Sequence, residues 1–178
     1  MESLIRGESL TLALRVVTAD SVDTAELAEI AARTFPLACP PSTARDNVAS
    51  FIDTHLSAER FAEYLADPHR AILTATRGGR IIGYAMLVRD DDTEDTAELS
   101  KMYVLPDYHG AGVSTALMDL TLATVEDWGA RSVWLGVNQK NQRAQRFYAK
   151  SGFRINGTRT FQVGGSREHD YLMVRELG

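Results

Sequence analysis

The stretch DYHGAGVSTALM, residues 107–118, sets Gly110, Ala111, Gly112 and Ser114 between a run that reads as strand and one that reads as helix. These four residues carry almost no side chain, so the backbone there is open to close approach. A helix N-terminus leaves its first amides unpaired, and the macrodipole makes that end attractive to anions. Small residues just ahead of it let a diphosphate reach successive N–H groups. The bland alternative is a turn in which Gly110 or Gly112 merely needs positive φ. Spacing alone leaves these two readings even. The stretch fits neither GxxxxGK[ST] nor GxGxxG, so nucleotide-hydrolysing and Rossmann phosphate sites lack support.

The elements around the turn follow from pattern. Ser9–Val17 reads as a strand, Ser21 or Asp23 as a helix cap, and Leu27, Ile30 and Ala31 recur at helical spacing up to Phe35. FPLACPPS is expected to break that helix. A second helical region covers Asp46–His55 and Ala58–Ala66. Ile72–Thr76 and Ile81–Val88 form a hairpin about Gly78-Gly79. DDDTED at 90–95 reads as a solvated acidic loop, and Ala97–Leu105 as the strand that delivers the glycine turn. Val113, Ala116, Leu117, Leu120 and Thr124 mark a helix face running to Trp128, with Gly129 as stop. Ser132–Val137 is apolar enough for a strand covered on both faces. A short helix from Asn141 to Gly152 and a hairpin about Gly164-Gly165 complete the order β-α-α-β-β-β-α-β-α-β-β.

Composition bounds the function. With 178 residues, 44% hydrophobic and 24% charged, the chain is expected to be a single globular domain over 1–178. No apolar run approaches the roughly 18–20 residues of a spanning helix, and the N-terminus does not order itself as a leader. A cytoplasmic protein without membrane contact is the expectation. Cys39 is the single cysteine and the four histidines are scattered, so neither a disulfide nor a metal site is expected. The net charge of −5 argues against nucleic acid and leaves a cationic partner unopposed.

Two blocks then carry a resemblance. KMYVLPDYHGAGVSTALM and NQKNQRAQRFYAKSGF are similar to the two signature motifs of the GNAT superfamily of acetyl-coenzyme A-dependent N-acetyltransferases. The motif forms are V-x-P-x-[Y/W]-[R/Q]-G-x-G-[I/V]-[G/A]-x-x-L and N-x-x-A-x-x-F-Y-x-x-x-G-F. Their separation and the element order agree with the family over nearly all of the chain. The resemblance implies an α/β (α+β) fold: a mixed, mostly antiparallel sheet of about seven strands flanked by about four helices. It implies acetyl-CoA as cosubstrate, no metal, and diphosphate binding by the amides of His109, Gly110, Ala111, Gly112, Val113 and Ser114. His109 stands where Gln or Arg is usual and Ser114 where Gly or Ala is usual. Main-chain donors survive both departures. Backbone groups of Met102, Tyr103 and Val104 would contact pantetheine where the strand splays at a bulge. Asn141 reads both as helix N-cap and as a coenzyme contact.

Acetyl transfer to an amine needs a base for the ammonium, stabilisation of the carbonyl oxygen and a proton for the departing thiolate. The resemblance makes Tyr148 the acid; without it, Tyr148 reads as a core aromatic beside Phe147. Glu98 is the candidate base, against an exposed strand glutamate or a partner of Lys101. Asp170 and Glu168 stand as outside candidates. Cys39 is not expected to carry the acyl group. TFPLACPPSTARDNVASFIDTHLSAERFAEYLADP, WLGV and FQVGGSREHDYLMVREL look like the PaiA-type subgroup, associated with spermidine and spermine. A small primary amine, plausibly a polyamine, is therefore the expected acceptor. A peptide acceptor, a non-catalytic coenzyme A-binding module and a homodimer through edge strands stay open.

Overall fold

The computed structural model describes residues 11–90 and 95–178. Seven strands form one sheet in the order β1-β2-β3-β4-β5-β7-β6. They are β1 (Leu12–Val17), β2 (Arg70–Arg77), β3 (Arg80–Arg89), β4 (Thr96–Val104), β5 (Ser132–Asn138), β6 (Arg154–Val163) and β7 (Ser166–Glu176). Neighbours are antiparallel except β4 and β5. A parallel pair needs a crossover, and the chain between them supplies one with a long helix. The helices are α1 (Thr24–Ala38), α2 (Arg45–His55), α3 (Ala58–Ala66), α4 (Val113–Asp127) and α5 (Gln142–Lys150).

Adjacent strand residues point to opposite faces. On β3, Tyr84 meets Phe61 of α3 at 5.6 Å between ring centroids. Its neighbour Gly83 faces Leu117 of α4, where an added Cβ would lie 3.3 Å from Leu117 Cδ1. So α3 and α4 cover opposite faces. The core lies in both layers, with Leu27, Phe61, Tyr84, Leu87, Leu117, Val125 and Leu135 at 0–1% exposure. Among the described residues no helix is long and apolar enough to cross a membrane.

Several expectations need correction. Helix α1 continues through Pro36 and ends at Ala38. Pro36 sits in the last turn, so the helix forgoes one hydrogen bond and continues. The real stop is Pro40, which holds Cys39 extended at φ −82°, ψ 144°. The flanking helices number five among the described residues, because α2 and α3 are separate. Ser57 starts α3 anew, accepting from Arg60 N at 3.2 Å. Asp23, rather than Ser21, caps α1, through Ala25 N at 2.9 Å. The buried stripe of α4 is Val113, Leu117, Met118, Thr121 and Val125, displaced from the expected Ala116, Leu120 and Thr124. Strand β5 is covered fully on one face only: Val133, Leu135 and Val137 are buried, while Trp134, Gly136 and Asn138 are half-buried. Residues 9–10 of the expected first strand and 91–94 of the acidic loop lie outside the described residues.

Leu117 is fully buried between α4 and the sheet. Leu117→Ala should lower the unfolding free energy by about 2–5 kcal/mol, read as an earlier midpoint in urea.

Candidate active site

Ladder pairing between β4 and β5 is confined to Thr96↔Ser132, Ala97↔Val133 and Glu98↔Trp134. Just beyond, β4 bulges against β3: Leu87 faces Leu99 and Met86 faces Lys101, which leaves Ser100 as the extra residue. A bulge bends its own strand. Strand β5 meanwhile stays paired with β7 along its whole length. The gap between them opens a cleft of about 850 Å³, the size of a small-molecule or cofactor site. Glu98, Met102, Tyr103, Val104, Asn141 and Tyr148 line it, and so do His109, Gly110, Gly112 and Ser114. Two expected site residues do not. Val113 turns its side chain into the core at 1% exposure, and the exposed Ala111 lies off the wall.

The glycine turn carries both of the features that spacing could not separate. Gly110 and Gly112 have φ of 82° and 83°, and nothing lies within 4 Å of a Cβ built on either. Two of the expected donors are already used inside the turn. His109 N donates to Pro106 O at 3.0 Å, and Ala111 N to Tyr108 O at 3.3 Å. The first helical bond of α4 runs from Ala116 N to Gly112 O at 3.0 Å. Gly110, Gly112, Val113, Ser114 and Thr115 are thus left with amides that have no partner among the described residues. Thr115 was not foreseen. The His109 ring turns back to the strand, its Nε2 donating to Val104 O at 2.8 Å. It clips the turn to the end of β4.

Tyr148 sits in the last turn of α5, its ring 5.6 Å from that of Phe147 and 5.9 Å from that of Phe153. Burial pushes its phenol up to about 12, so the hydroxyl keeps its proton at neutral pH. Asn141 caps α5 by accepting from Ala144 N at 3.2 Å. Burial also raises the Glu98 carboxyl, against the opposing pull of Arg159, Lys101 and Arg70. Lys101 falls to about 8, because burial and then Arg70 disfavour its charge. Asp170 is 4% exposed and raised by burial, although Arg159 Nε reaches its Oδ2 at 3.2 Å. Glu168 has the opposite shift: the Thr43 hydroxyl at 2.7 Å leads the causes that hold it low. It fastens the α1–α2 connection to β7. Cys39 faces the cleft with its thiol pushed up to about 11, first by burial and then by Glu168. Among the described residues no cluster of three His, Cys, Asp or Glu could hold a metal.

The GNAT acetyltransferase family model matches residues 25–153, which include both motifs, the splayed strand and the turn. The chain belongs to the GNAT family. A Mycobacterium tuberculosis protein described as an uncharacterized N-acetyltransferase is 67% identical over 155 residues, 87% of this chain and 98% of that one. The crystal structure of PaiA N-acetyltransferase from Thermoplasma acidophilum, in complex with coenzyme A, aligns with TM-score 0.81 at 20% identity, over 94% of this chain and 99% of that. The ribosomal-protein-S18-alanine N-acetyltransferase of Escherichia coli aligns with TM-score 0.70 at 19% identity, over 94% and 95%. This GNAT protein is an N-acetyltransferase, and its family uses acetyl-CoA.

Arg159 went unread in the sequence. From β6 it pairs with Asp170 on β7 and lies with Cζ 5.7 Å from the Trp134 ring on β5. A Cβ at Gly136 would meet its guanidinium carbon at 2.8 Å. The glycine in WLGV is therefore the local trace of an arginine laid across three strands. Nothing near Arg159 itself signals it.

The raised Glu98 carboxyl fixes a sign for stability. The folded state holds that proton more tightly than the unfolded state, so folding loses stability as pH rises through the window above about 4. Glu98→Gln should raise the melting temperature at pH 7, and the gain should vanish below about pH 4, by calorimetry across pH.

Proposed function

We propose that the protein moves an acetyl group from acetyl-CoA directly to a primary amine seated in the cleft. The observation that carries this is the set of five unpartnered amides at 110 and 112–115, at the mouth of a cleft that also holds Tyr148 and Glu98. Those amides, with open space over Gly110 and Gly112, suit a diphosphate. Bound there, acetyl-CoA supplies the activated acetyl thioester. Backbone groups of Met102–Val104, released from β5, hold the pantetheine arm and the acetyl oxygen. Asn141 stands beside it at the head of α5.

Glu98 takes the amine's proton. Its raised carboxyl narrows the gap to the ammonium, which makes the transfer easier than for a free carboxylate. Tyr148, kept neutral by burial, gives its proton to the departing thiolate. Cys39 stays a thiol at neutral pH and takes no part.

Spermidine and spermine are the acceptors to which the sequence points, supported by the acidic balance and the PaiA-type resemblance. A polycation would nonetheless sit beside Arg70, Lys101 and Arg159, so the polyamine is one arm of an acceptor panel within the wider class of primary amines. A cytoplasmic location goes with this proposal, supported by the single cysteine. So does a homodimer through an edge strand, supported by exposed Val16 on β1 and Ile155 on β6.

Thiol release from acetyl-CoA over a panel of amines tests the proposal. Tyr148→Phe keeps the ring packing and removes one hydroxyl, so kcat should fall by about 10²–10⁴ with little change in melting temperature. A variant with wild-type kcat would return Tyr148 to the role of a packing aromatic.

A further inference from the structure

Glu98 and Lys101 face the cleft from the same side of β4. They pair across with Val88 and Met86, which are two residues apart, and the bulge at Ser100 absorbs the odd residue between them. Alternation therefore puts both side chains on one face. The carboxylate and the ammonium do not meet. Neither has a hydrogen bond or an ion pair with any described residue. Lys101 Nζ instead rests 5.7 Å from the centre of the Tyr64 ring.

The neighbouring cations are already matched. Arg70 Nε reaches Asp67 Oδ2 at 3.1 Å, and Arg159 Nε reaches Asp170 Oδ2 at 3.2 Å. Glu98 and Lys101 are left as two half-buried, opposite charges with no hydrogen-bond or ion-pair partner among the described residues. Each loses hydration and regains only longer-range attraction, Lys101 from Glu98 and Glu98 from Arg159, Lys101 and Arg70. A ligand bearing an amine and an anion, with both ends in reach, compensates the two at once. A diamine would compensate Glu98 alone and set its second ammonium against Lys101 and Arg70.

We propose that the acceptor is an amino acid, its reacting amine at Glu98 and its carboxylate at Lys101. This rests on the acetyltransferase function above and names the acceptor's chemical class. In the transfer the ammonium first gives one proton to Glu98; a C–N amide bond then forms as the C–S bond breaks, Tyr148 protonates the thiolate, and the second proton shed by nitrogen replaces the one Tyr148 gave. Lys101 touches only the carboxylate and sets specificity.

Lysine and ornithine, with their decarboxylated forms cadaverine and putrescine, separate the possibilities. Each pair differs by the carboxylate alone. The amino acids should show kcat/KM at least about tenfold above the diamines, the worth of one charge-assisted contact. Lys101→Met should raise KM for lysine about tenfold and lower it for cadaverine by removing a like charge. Calorimetry of lysine binding to the enzyme saturated with coenzyme A gives a readout without turnover. Binding should be measurable in the wild type and about tenfold weaker in Lys101→Met. Diamines or spermidine that turn over while amino acids neither react nor bind would overturn the inference and leave the acetyltransferase function standing. Lysine binding that depends on Lys101, with no thiol release from any amine, would support the carboxylate contact at Lys101 and overturn both the acceptor role and the function.

Discussion

Everything in the site depends on β4 leaving β5 after three residue pairs. A sheet satisfies its backbone by lateral pairing, and unpaired strand groups demand other partners. Here the departure coincides with a bulge on the other side, where Ser100 is the extra residue against β3. The gap exposes the β5-facing edge of residues 99–104. It also lets α5 bring Tyr148 to the same cleft as Glu98 and Lys101, although α5 and β4 belong to different parts of the chain. The glycine turn continues the same strand, held to its end by the His109–Val104 hydrogen bond. One broken ladder thus supplies the cleft, its polar wall and the anchor point of the turn with open amides.

The titratable groups in that cleft are shifted by one common cause. Burial raises Glu98 and Tyr148 and lowers Lys101. In each case the charged form is the one disfavoured. A carboxylate made more basic is a better proton acceptor, and a phenol kept neutral is an available donor. Glu168 marks the contrast: with Thr43, Ser166 and Asn138 around it, it remains an ordinary structural carboxylate. Glu98 and Lys101 are thus shifted first by burial, whereas Glu168 is held low first by the hydrogen bond from Thr43. Position in the sequence would not separate them.

Much of this was legible before the fold was known, and the parts that were not have physical reasons. Strand and helix order followed from periodicity, because each element buries one face. The glycine turn was legible as a place of open amides because helix ends expose them whatever the side chains. Which amides remain open was not, since two of them close the turn internally and Thr115 adds one. Pro36 misled because a proline's cost depends on its place in the helix, and the last turn tolerates it. The half-covered β5 misled because an apolar run does not say whether its second face meets a helix or a cleft. Arg159 was beyond reach: its role comes from crossing β7 and β5, a relation between strands far apart in the chain.

The most direct test of the central claim is a backbone-amide nuclear magnetic resonance titration of the labelled protein with coenzyme A. The open amides should shift most: Gly110, Gly112, Val113, Ser114 and Thr115. His109 and Ala111, whose N–H groups bond within the turn, should respond less. Largest shifts on a distant element, such as β1 or α3, with residues 110–115 unmoved, would contradict the account.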